Sequence, residues 1–179
     1  MTGTPWRLSW RADPVVARLA DGHYSRKTIG AAQFTPPGRV LVLRSEDGTA
    51  GWSSLWPFAD YVLHNWAGAW MNTLFVKTGP GLASDMIRHA VAHTLAKWPD
   101  PPPQGMVTMV DARKIRAKPG RYRDQGVGWC YRKAGFRQVG FTKSGLHVFQ
   151  LLPADMPAPE LVPGGQPTLF DDDPAEVAS

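Results

Sequence analysis

The sequence predicts an α/β domain in which a mixed sheet is flanked by helices, followed by a disordered acidic tail. Short apolar segments of strand length alternate with segments of helical periodicity, and Gly- or Pro-containing turns separate them. From residue 154 the chain is rich in Pro, Gly and acidic residues, a composition typical of disorder. We therefore expect one domain over residues 1–153 and a tail over residues 154–179.

Each predicted element has a local signal. Asp13 and Pro14 suit the start of a helix that ends at Gly22. Apolar residues at three- and four-residue spacing predict the longest helix over 83–98, and a shorter helix over 127–133 ends at Gly135. The strands are predicted over 39–44, 50–56, 72–76, 106–110, 136–141 and 146–152.

The charge is divided unevenly along the chain. All 20 Lys and Arg lie before residue 150 with nine of the 15 acids, so this part carries +11 and the remainder carries −6. A strongly basic body favours a polyanionic partner, and double-stranded DNA is the first candidate.

Two glycine-containing segments carry the next prediction. The first is the turn that joins a strand to the long helix, and its backbone N–H groups and helix N-terminus suit an anion such as a pyrophosphate. The predicted cofactor-binding residues are Lys77, Thr78, Gly79, Gly81, Leu82 and Ala83. The second segment runs from Tyr131 to Phe136 and places a tyrosine before a helix-ending glycine.

Together these segments resemble the GNAT acyltransferase superfamily, whose members carry a basic-x-x-Gly-x-Gly/Ala loop and a Tyr-x-Lys-x-Gly-Phe segment. Thr78 stands where the family loop begins with a basic residue, and Lys77 lies one place earlier. The resemblance implies a GNAT-like mixed sheet and a coenzyme A donor, and it gives Tyr131 the role of protonating the departing thiolate. A tyrosine of the core is the alternative for Tyr131.

A polar segment after the first helix contains His23, Tyr24 and Ser25, and Asp111 follows the strand at 106–110. This pattern resembles the Mom-type phage DNA-modification proteins, which look like divergent GNAT members. The resemblance implies conversion of adenine N6 amino groups to N6-carbamoylmethyladenine, which protects phage DNA from host restriction. The N6 amine is a poor nucleophile because its lone pair is delocalised into the ring. A base is therefore needed to remove the N6 proton, and His23 or Asp111 could do this. The base must also leave the stack, and Trp52, Trp56, Trp66 and Trp70 are candidates for stacking, although most are expected in the core.

A basic loop follows Asp111 directly, with six basic residues in the eleven from Arg113 to Arg123. Such density suits phosphate contacts that supply affinity without sequence choice. The predicted DNA-binding residues are Arg26, Lys27, Arg113, Lys114, Arg116, Lys118, Arg121 and Arg123.

The tail contains Gln166-Pro167-Thr168-Leu169-Phe170, which resembles the bacterial sliding-clamp-binding peptide. Gln166, Leu169 and Phe170 are the predicted clamp contacts, because a short peptide with two apolar anchors suits docking in a groove.

Three functions remain open at this point: a DNA adenine-modifying transferase, an ordinary acetyltransferase acting on a small amine or protein lysine, and a non-catalytic DNA-binding protein. The superfamily resemblance implies acetyl-CoA as the acyl donor. A glycyl donor is the alternative, because a carbamoylmethyl group contains a nitrogen that acetyl lacks. His23 and Asp111 are both potential metal ligands, but two residues do not define a metal site. With no apolar segment of membrane-spanning length and a single cysteine, we expect a cytoplasmic protein without a membrane partner.

Overall fold

The computed structural model describes residues 4–58, 65–115 and 126–164, and in this part of the chain seven strands form one sheet in the order β1-β2-β3-β4-β5-β7-β6. The strands are β1 (Trp6–Ser9), β2 (Arg39–Ser45), β3 (Ala50–Trp56), β4 (Trp70–Lys77), β5 (Met106–Val110), β6 (Arg137–Phe141) and β7 (His147–Leu151). The helices are α1 (Pro14–Asp21), α2 (Ala83–Lys97), α3 (Ala112–Ile115) and α4 (Trp129–Lys133). Only β4 and β5 pair in parallel, so the predicted mixed sheet is confirmed.

Helices cover both faces of the sheet, as the sequence predicts. Asp13 caps α1 by accepting a hydrogen bond from the backbone of Val15 at 2.8 Å, and the apolar face of α1 packs on Val42 and Leu74. On the other face, α2 buries Ile87 against the main core. Alternate residues of β2 therefore face different helices, which explains why this strand is apolar on both sides.

The pairing of β4 with β5 is short and leaves an opening between the two strands. It covers only Trp70–Met106, Met71–Val107 and Asn72–Thr108. Directly beyond this point β4 contains a bulge, because Ser53 and Ser54 of β3 face Leu74 and Asn72 and the residue between them, Thr73, has no partner across the strand. The carboxyl ends of β4 and β5 lie at the same sheet edge, so the glycine turn after β4 and Asp111 after β5 flank this opening.

Three features differ from the prediction. The edge strand β1 was not predicted, and it pairs antiparallel with β2 while the Trp6 side chain enters the core and donates to the backbone of Met86 at 2.8 Å. The basic loop begins with the single-turn helix α3. The packed domain also extends beyond residue 153, since Met156 and Val162 pack against the main core. The clamp-like peptide, with Gln166, Leu169 and Phe170, lies outside the described residues.

Candidate functional site

Three distant segments meet beside the opening between β4 and β5. They are the polar segment after α1 with His23, the start of α3 with Asp111 and Lys114, and α4 with Tyr131. The contact between the first two is direct, because the Lys114 ammonium donates to the backbone oxygen of Tyr24 at 2.8 Å. The structure therefore brings together most of the side chains that the sequence predicts to be catalytic.

His23, Tyr24 and Ser25 form a compact polar unit. The His23 and Tyr24 rings lie 4.2 Å apart between centroids, and His23 Nδ1 lies 2.7 Å from Ser25 Oγ. The backbone N–H of Ser25 donates to the same nitrogen at 3.3 Å, so in the neutral ring Nδ1 is the acceptor and Nε2 carries the proton. His23 is thus oriented by two contacts to Ser25, and both contacts engage Nδ1, the nitrogen that takes up a proton when the neutral ring acts as a base.

The Tyr24 phenol is held against Asp111. Burial raises the pKa of Tyr24 to about 12, partly opposed by a hydrogen bond with the Asp111 backbone. Lys114 also lies above the Tyr24 ring, 6.0 Å from its centroid. Tyr24 therefore stays protonated at neutral pH, and its half-buried ring lies beside Asp111 with His23 and Lys114 against it.

Asp111 is nearly buried and is paired with Arg113. The Arg113 guanidinium donates to both carboxylate oxygens, at 2.9 and 3.0 Å, and the Arg113 backbone N–H donates to Oδ1 at 3.1 Å. The backbone contact makes Asp111 the N-terminal cap of α3. The hydrogen bonds from Arg113 hold the pKa of Asp111 below its usual value, so the carboxylate is ionised and is stabilised by its ion pair with Arg113.

Tyr131 closes the inner part of the opening. Its hydroxyl donates to the side-chain oxygen of Asn72 at 2.6 Å, and Thr108 donates to the same oxygen at 3.1 Å. Burial raises the pKa of Tyr131 well above its ordinary value. These contacts favour the core interpretation of Tyr131, because its proton is held by Asn72 inside the protein.

The described basic residues separate into two groups. The Arg26 side chain is only 7% exposed and bonds Asp21 at 2.8 Å and the backbone oxygens of Ala31 and Gln33. The Arg26 guanidinium therefore braces the loop after α1 in this structure, and its phosphate contact stays a prediction. Lys27, Arg113 and Lys114 are exposed. The other predicted DNA contacts, Arg116, Lys118, Arg121 and Arg123, lie outside the described residues.

The glycine turn after β4 uses its Thr78 and Lys77 donors inside the protein. Both the N–H and the hydroxyl of Thr78 donate to the backbone oxygen of Thr49, at 2.8 and 3.0 Å, and the Lys77 ammonium donates to Gly79. Gly79 packs tightly on Thr49, whereas Gly81 has a positive φ of 93° and starts the approach to Leu82 and Ala83. A cavity of about 830 Å³ lies beside this turn, and its lining includes the carboxylates of Glu46, Asp47, Asp85 and Glu160. The Thr78 and Lys77 donors are thus occupied within the protein, and the cavity beside the turn is lined by acidic side chains together with Arg88 and His89.

The four tryptophans that the sequence offers for base stacking pack into the hydrophobic clusters. Trp52 and Trp70 are fully buried, and Trp56 packs edge-on against Trp70 in the main core. Trp66 packs against the smaller cluster around Val107 and Val148. The aromatic surface beside Asp111 comes instead from Tyr24.

Two absences can be stated for the described ranges. Within them, no three His, Cys, Asp or Glu side chains are grouped as a metal site would require. None of the helices found there has both the length and the apolar character needed to cross a membrane.

The sequence analysis missed two residues of the site. Asn72 reads as an ordinary strand residue, and only its position opposite Thr108 shows that it binds Tyr131. Cys130 lies on α4, close enough to Tyr24 and Tyr131 that its thiolate form would raise the pKa of both. Its own pKa is raised by burial, so it remains a neutral thiol.

Comparison of this chain with protein-family models, with curated proteins and with solved structures found no match.

Proposed function

We propose that this protein is a transferase that modifies the N6 amino group of adenine in double-stranded DNA and leaves N6-carbamoylmethyladenine. The observation that carries the proposal is the meeting of the His23-Tyr24-Ser25 unit with Asp111 beside the opening between β4 and β5. The basic body supports DNA as the partner. The strand order and the parting of β4 from β5 support the GNAT-like interpretation of the sheet.

The side chains suit the chemistry of a weak amine nucleophile. The target base leaves the helix stack, a cost of a few kcal/mol that is offset when its π-face stacks on an aromatic ring such as Tyr24. Removal of an N6 proton by Asp111 or His23 then lets the nitrogen attack the acyl carbonyl carbon. Tyr24, with its pKa of about 12, stays a hydrogen-bond donor throughout.

The transferred group is better defined than its carrier. Because Thr78 and Lys77 use their donors within the protein, no step through coenzyme A is proposed. Of the two candidate donors, acetyl-CoA and a glycyl donor, only the glycyl donor carries the additional nitrogen of the product. A glycyl group on N6 contains all the atoms of the product and reaches it by one rearrangement. After glycyl transfer to N6, the glycyl amine attacks C6 and the bond from C6 to the original nitrogen breaks. A proton moves to that nitrogen, which becomes the carboxamide.

The first experiment is expression in a bacterium, followed by digestion of plasmid DNA to nucleosides and mass spectrometry. We expect a deoxyadenosine species heavier by one carbamoylmethyl group. Asp111→Asn and His23→Gln should each lower its yield by at least about a hundredfold, the usual contribution of a general base. Asp100→Asn is the matched control, because Asp100 is an exposed carboxylate in the connection between α2 and β5.

Two outcomes would contradict the proposal. Unmodified DNA from well-folded, well-expressed protein would favour the ordinary acetyltransferase, which is tested by incubation of the protein with acetyl-CoA and free amines. Full modification by both variants would remove His23 and Asp111 from the chemistry. In cells fed isotope-labelled glycine, an unlabelled product would exclude the glycyl donor.

A further inference from the structure

The ion pair between Asp111 and Arg113 joins a nearly buried carboxylate to an exposed cation. The Asp111 side chain is 10% exposed, whereas the Arg113 side chain is 74% exposed. The guanidinium binds both carboxylate oxygens, which is the same planar, two-point geometry that arginine uses for phosphate. One side of this pair is therefore open to any phosphate that approaches the protein.

In this arrangement Asp111 is a weak base. Both oxygens are engaged by Arg113. Among the described residues, the other charged or titratable groups that face the carboxylate are Lys114 on the same helix and Tyr24 from the segment after α1. Neither of these neighbours carries a negative charge at neutral pH that would favour protonation of Asp111. The role of general base in the proposed reaction thus conflicts with the geometry of the free protein.

We propose that Arg113 is a DNA-dependent switch: a backbone phosphate of bound DNA draws the guanidinium away from Asp111 and frees the carboxylate to accept the N6 proton. The inference rests on the proposed function. Exchange is feasible because Arg113 is exposed and its guanidinium would contact an anion throughout, first the carboxylate and then the phosphate. The carboxylate left behind is mostly shielded from water, and its affinity for a proton rises. The base becomes active only when the substrate polymer is in place.

The test is an NMR titration of the carboxyl carbons of the full, 13C-labelled chain. It is run with and without a bound duplex oligonucleotide that contains adenine. We expect DNA to move the titration midpoint of Asp111 upward by about one pH unit or more. In Arg113→Gln the midpoint should already be raised in the free protein, and DNA should add little to it. Arg7→Gln is the matched control, because Arg7 lies on the edge strand β1 and forms an exposed pair with Glu46 at 3.0 Å. This variant should keep the DNA-dependent change at Asp111.

The outcomes separate the switch from the proposed function. If DNA binds, as measured by fluorescence anisotropy, and the Asp111 midpoint stays where it was, the switch is wrong. If the midpoint rises but plasmid DNA is never modified, the proposed reaction is wrong and the switch stands. If no duplex binds at low salt, both are overturned.

Discussion

The hydrogen-bonded group formed by Asn72, Thr108 and Tyr131 gives the sharpest test of how the opening between β4 and β5 is filled. Asn72 is 6% exposed and makes four side-chain contacts. Its amide donates to the backbone oxygens of Ser53 and Leu74, at 3.2 and 2.8 Å, and its oxygen accepts from Tyr131 and Thr108. The perturbation is Asn72→Leu, which keeps the approximate volume and removes all four.

The magnitude follows from counting these bonds. At about 1 kcal/mol each, and with a buried Tyr131 hydroxyl left without its acceptor, Asn72→Leu should lower the free energy of unfolding by about 3–5 kcal/mol. Tyr131→Phe alone should cost only about 1 kcal/mol, because Asn72 still accepts from Thr108. In the Asn72→Leu background, Tyr131→Phe should cost nothing or stabilise the protein, since the unpaired hydroxyl is removed.

Urea unfolding of the wild type, both single variants and the double variant measures the coupling free energy. We expect a value of about 1–2 kcal/mol for a directly bonded buried pair. Additive effects would show that the hydroxyl and the amide do not interact, and the account of the opening would then be refuted. Retention of DNA modification by Tyr131→Phe would separately exclude Tyr131 as a general acid.

Three further perturbations test other parts of the structure. Gly79→Ala should lower the free energy of unfolding by about 1–3 kcal/mol in urea, because an added Cβ would lie 2.0 Å from Thr49 Oγ1. Arg26→Lys should loosen the loop after α1, seen as faster amide exchange there, and should reduce DNA modification by about tenfold through misplacement of Tyr24; unchanged exchange would refute the bracing role. His93 is almost fully buried, and this burial is the main reason that its pKa lies below its usual value. The fold therefore favours the neutral form of His93. Stability should therefore fall as pH decreases through about 6.5, by at most about 1.4 kcal/mol per pH unit, and this contribution should be absent from His93→Gln.

The elements that the sequence predicts well are those whose signals are local. Asp13 and Pro14 mark the start of α1 whatever the rest of the chain does, and β3 and β5 are short apolar segments between turn residues. Strand β1 carries only a weak signal, because Trp-Arg-Leu-Ser alternates apolar and polar residues over just four positions. It becomes a strand through its pairing with β2 and the insertion of Trp6 under α2. Tertiary contacts therefore decide this element, and local preference does not.

The site divides along the same line. The sequence singles out His23, Tyr24 and Asp111 as residue types with suitable chemistry, but their contact depends on topology, because it requires α1 and β5 to end at the same region of the fold. Arg26 shows the opposite case. Its charge favours a phosphate contact, and only the folded loop, with Asp21 and two backbone oxygens around the guanidinium, shows that the charge is used internally.

The polar side chains around the opening form two layers with different protonation behaviour, and this division limits where proton transfer can occur. In the inner layer Tyr131 is held protonated by burial and by its bond to Asn72, so it exchanges protons poorly. In the outer layer His23 is only half-buried, and Asp111 is covered on one side by a single exposed side chain, Arg113. An amine that approaches from outside meets the outer layer first. In the proposed reaction, proton transfer is therefore assigned to His23 and Asp111. Tyr131 stays hydrogen-bonded to Asn72 on β4, which also accepts from Thr108 on β5.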